Sequence, residues 1–71
     1  MDYTRFRGYR KLLDITIDDI ALEIGISSGY INRIERGYVK EIKNPKLRAA
    51  FEAKLQELER RVKAKMKEVA A

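Results

Sequence analysis

The sequence predicts an all-α fold, a helix-turn-helix head of three short helices plus one long C-terminal helix. Three observations carry that reading. Apolar residues recur at spacings of three and four, the helical period, along the whole chain. Gly25 and Gly37 stand where helices stop in the left-handed conformation. Asn44-Pro45 supplies a cap and a first helical residue, and nothing after it breaks a helix.

Seventy-one residues make one folding unit, and a chain this short buries only roughly 60% of its unfolded surface. It has no Cys and no His, which removes disulfides, thiolate sites, and the commonest general base and metal ligand. No catalytic residue, metal, cofactor or small-molecule ligand is expected, and the chain does not read as an enzyme. No apolar run approaches the ~20 residues that span a bilayer. The basic start, Met1 to Lys11, leads into no apolar stretch. No membrane partner and a cytoplasmic location are therefore expected. The net charge of +5 points to a polyanionic partner. Residues 1–11 carry net +3, residues 14–23 net −4 and residues 33–48 net +4, so cations bracket an acidic helix.

The first helix is read over Asp2 to Leu13, with Phe6, Tyr9 and Leu13 on one face and Asp2 as cap. The second opens at Thr16, with Asp19 in the capping-box place and Ile15 and Ile20 placed as a hydrophobic staple. It ends at Gly25. Two residues later Ser27 caps a third helix, with Ile26 and Ile31 as a second staple, and Gly37 closes it. Helices of about eight residues joined so tightly must cross steeply, which is the helix-turn-helix unit. Residues 38–43 read as a short basic connection.

The last helix carries Leu47, Phe51, Leu55, Leu58, Val62, Met66 and Val69 on one stripe. Leu47, Phe51 and Leu55 are expected to close the head's core. Leu58, Val62, Met66 and Val69 are expected to lie beyond the head's reach and to form a homodimer interface, since contiguous exposed apolar surface marks contacts. The chain is thus divided into a helix-turn-helix head, 1–43, and a core-closing, dimerising arm, 44–71.

Ile17 through Arg36, I-D-D-I-A-L-E-I-G-I-S-S-G-Y-I-N-R-I-E-R, resembles the helix-turn-helix of the Cro and lambda-repressor-like family of phage and bacterial regulators. Ala21 is small where the two helices touch, Gly25 takes the turn, and Arg33-Ile34-Glu35-Arg36-Gly37 is similar to the family's closing R-I-E-x-G. The resemblance implies double-stranded DNA as partner, with the third helix in the major groove. It places Ser28, Gly29, Asn32 and Arg33 on base edges, where Asn32 suits adenine and Arg33 guanine. It gives Thr16, Tyr30, Tyr38, Lys40 and Lys43 to the DNA backbone, and it pairs Arg10 with Glu35 as scaffold.

Two features depart from the family. Ile17 stands where a phosphate-holding Gln is usual, and one long helix replaces two further short ones. The function implied is a repressor-type regulator, a homodimer on a palindrome-like site. The alternatives are an oligomeric DNA-binding assembly protein, such as a small DNA-packaging subunit, and a protein-binding antitoxin-like module.

Overall fold

A computed structural model describes residues 2–70, with side chains through Glu68. Its elements are four helices: α1 (Arg5–Leu12), α2 (Ile17–Ile24), α3 (Ser28–Glu35) and α4 (Pro45–Ala70). Helix α1 packs chiefly against α4 and α2 chiefly against α3.

Helix α1 begins three residues later than the sequence suggests. The Asp2 carboxylate accepts hydrogen bonds from the backbone N–H and the hydroxyl of Thr4. That closes a turn ahead of the helix, a local bond that competes with helical geometry. The turn directs Tyr3 into the core, edge-on to Phe51 at 5.4 Å, while Phe6 stacks on the same ring at 4.5 Å.

The ends of the short helices are fixed by their own residues. Thr16 and Asp19 form a reciprocal capping box at the start of α2, and Gly25 ends it at φ 73°. The Ser27 hydroxyl accepts from the Tyr30 N–H at 3.2 Å to start α3. Gly37, at φ 85°, then closes α3 with bonds from its own N–H to Ile34 and from the Tyr38 N–H to Arg33. The end of α1 has the same paired pattern, from Asp14 N–H to Lys11 and Ile15 N–H to Arg10. There the left-handed residue is Asp14, at φ 57°.

A single core joins all four helices. Phe6, Ile20, Ile31, Ile34, Ile42, Phe51 and Leu58 are fully buried in it, with Leu47 packed at its margin. Ile42 lies in the connection that reads as merely basic, and it plugs the core between α3 and α4 along the chain.

The expected interface on α4 needs correction. Leu58 is fully buried and Val62 nearly so, both within one chain. The head reaches farther than its size suggests because α1 runs alongside α4. Tyr3 and Phe6 lie on Phe51, and farther along, Lys65 Nζ donates to the Leu12 carbonyl at 2.7 Å. The strip of α4 between those points is covered by its own chain. Met66 is 62% exposed, and the Val69 side chain lies outside the described residues.

Candidate nucleic-acid interface

The first turn of α3 stands clear of the body. Ser28, Gly29 and Arg33 are exposed, and Asn32 is half-buried at the flank of the same face. A Cβ added to Gly29 would meet nothing within 4 Å. Glycine costs a helix about 1 kcal/mol relative to alanine, and no packing inside this fold requires it there. It leaves α3 a bare strip of backbone that an outside surface can approach closely.

Behind that face, α3 is held by a bond of unusual completeness. Arg10 of α1 meets Glu35 of α3 through two parallel bonds, Nε to Oε2 at 2.9 Å and Nη2 to Oε1 at 3.0 Å. Its remaining nitrogen, Nη1, donates to the Ile15 carbonyl at 3.0 Å, in the link between α1 and α2. Both side chains are buried, and two-pronged geometry fixes orientation as well as distance. One guanidinium thus ties the three head helices together and sets the angle at which α3 is presented.

The remaining expected contact residues surround α3. Thr16 is exposed at the start of α2; its Oγ1 accepts from the Asp19 N–H at 3.1 Å. Its hydroxyl hydrogen is left for another acceptor. Tyr30 is half-buried against the core, so much of its ring serves packing. Tyr38, Lys40 and Lys43 are exposed just after α3. Ile17 packs at the core margin and its side chain presents no donor.

A second charged cluster is not evident from the sequence. Lys54 of α4 is buried, with Nζ at 2.8 Å from Glu23 of α2 and 2.9 Å from Glu57. Burial opposes its charge, but the two carboxylates outweigh that and raise its pKa. The Lys54 bond holds Glu57 below its ordinary value. Position 54 falls between Phe51 and Leu58 on the buried face, with an acid three residues on, and that was the available signal. Glu52 accepts from the Tyr3 hydroxyl at 2.7 Å; burial first, and that bond second, push the phenol up to about 12.

Residues 6–53, from the body of α1 into the first turns of α4, match a helix-turn-helix family model. The chain belongs to the Cro-type helix-turn-helix family. No curated protein and no solved structure matches it. The matched span holds both capped helices, the Arg10–Glu35 pair and the connection after α3, and makes this helix-turn-helix protein a DNA-binding regulator. The rest of α4 lies outside the match. Among the described residues, no helix is long and apolar enough to cross a membrane.

Proposed function

We propose that the protein binds a palindrome-like duplex site as a homodimer and represses transcription by occluding it. The reading rests on one observation: an exposed, N-capped helix start whose angle is fixed from behind by the buried Arg10–Glu35 pair. A reading head needs its base-contacting side chains on a rigid element, because a register error of a fraction of a base pair forfeits the hydrogen bonds.

On this reading α3 enters the major groove with Ser28 and Gly29 nearest the bases. Arg33 selects guanine and Asn32 adenine, while Thr16, Tyr30, Tyr38, Lys40 and Lys43 hold phosphates and set the docking register. Two copies related by a two-fold axis would read inverted half-sites. Leu58 and Val62 take no part in that pairing; among the described residues, the large apolar side chains left exposed on the two parallel-running helices are Leu12 and Met66. The place of action is the cytoplasm, where such a site is found.

Selection of bound fragments from random duplex DNA tests the proposal. Enriched fragments should share two inverted half-sites at one fixed spacing. A lone half-site would overturn the homodimer, and no enrichment would overturn sequence specificity. On the selected site Arg33→Ala should cost about 1–3 kcal/mol and relax one base position per half-site. Lys40→Ala should weaken all sequences alike and shallow the salt slope by about one.

A further inference from the structure

Where α1 meets α3 there is a notch of about 100 Å³ that the contacts above leave unused. Arg7 and Lys11 of α1 line one side, and Asn32 and Arg36 line the other. Ile17 and the Arg10–Glu35 pair complete the lining. Helical spacing explains the assembly. Arg7 and Lys11 sit one turn apart beside Arg10, and Asn32 and Arg36 sit one turn apart beside Glu35. When Arg10 clasps Glu35, the flanking cations are carried into one mouth.

Arg7, Lys11 and Arg36 are all exposed. Among the described residues, none of the three has a carboxylate within ion-pair distance. The acid in the lining, Glu35, has both oxygens committed to Arg10. Three uncompensated positive charges around one small concavity repel one another until an anion enters. The Ile17 side chain offers no donor, so among the lining side chains the rim cations do the holding. Asn32 belongs both to this rim and to the proposed base-reading face. An anion in the notch therefore sits beside the groove that α3 enters, and phosphates line that edge.

We propose that the notch seats one backbone phosphate of bound DNA, gripped by Arg7, Lys11 and Arg36. The site rests on the DNA-binding reading and adds to it a clamp on the α1 side of α3, opposite in chain position to Lys40 and Lys43. The guanidinium groups supply directed bonds to phosphate oxygens and Lys11 a mobile point charge.

The test compares the intact protein with Arg7→Gln/Lys11→Gln, whose side chains are exposed, so melting should be unchanged. On a short mixed-sequence duplex the variant's salt slope should be shallower by about 0.9, with affinity at low salt down about tenfold. A methylphosphonate scan of the selected duplex should then show one linkage per half-site where the intact protein loses affinity and the variant loses nothing further. Arg36→Gln should lose sensitivity at that linkage, whereas Lys40→Gln should keep it. An unchanged slope and linkage pattern in the variant, with the intact protein binding duplex normally, would overturn the notch alone. Failure of the intact protein to bind any duplex would instead overturn the DNA-binding reading.

Discussion

Arg10 and Lys54 are the two cations drawn into the interior among the described residues, and each is 8% exposed. Their partners differ. The Glu35 side chain is 2% exposed, whereas those of Glu23 and Glu57 are 55% and 42% exposed. Arg10 and Glu35 have exchanged water for each other completely, so removing either leaves a charge stranded in a dry place. Lys54 has lost its water, but its carboxylates keep theirs. Removing it strands nothing, because two hydrated acids remain hydrated. What makes a buried cation indispensable is the burial of its partner. The dry pair sits where the angle of the proposed reading helix is set, and the wet one sits at the flank of α2 and α4.

Four measurements can break or sharpen that contrast. Arg10→Met leaves Glu35 buried and unpaired and should destabilise the fold by about 3–5 kcal/mol in urea unfolding. An unchanged midpoint would mean that Glu35 reaches water, and the contrast would collapse. Arg10→Lys keeps the charge but cannot make the parallel bonds or reach Ile15, and should cost about 1–3 kcal/mol. Lys54→Met should change stability by no more than about 1 kcal/mol, because a methionine fits the apolar surroundings and the acids stay solvated. A loss as large as that of Arg10→Met would refute the distinction.

The smallest effect is a pH dependence. Glu57 is held below its ordinary value of 4.5 by Lys54. A depressed carboxylate contributes stability above its unfolded pKa and loses it as pH falls through the folded value. The difference between intact protein and Lys54→Met should therefore narrow below about pH 4.5 and hold steady from there to neutrality. A gap that widens on acidification would show that Glu57 is not held by Lys54.

The features legible in the sequence are those whose cause is local. Thr16 with Asp19, Gly25, Ser27 and Gly37 announce their helix ends because cap and capped group lie within a few residues. The stripe of α4 is likewise plain from its period. What covers the stripe is not, since Leu58 and Val62 are buried by the direction α1 takes, which no spacing records. Ile42 reads as part of a polar link because its burial in the shared core depends on residues far from it in the sequence. The notch on the α1 side was within reach. Once Arg10 is paired with Glu35, the positions one turn to either side must converge, and Arg7, Lys11 and Arg36 are cations.

The cover that α1 gives to Leu58 and Val62 has a kinetic meaning. A chain whose core is completed by its own first helix should fold in a unimolecular step, without waiting for an encounter. Its melting temperature should then hold constant on dilution, unlike that of an obligate dimer, whose stability is inseparable from protomer concentration. Two copies on an inverted site would meet there as finished bodies, with the duplex raising their effective concentration for each other. Occupancy would respond to how the two half-sites are spaced and not to how much protein has already paired in solution.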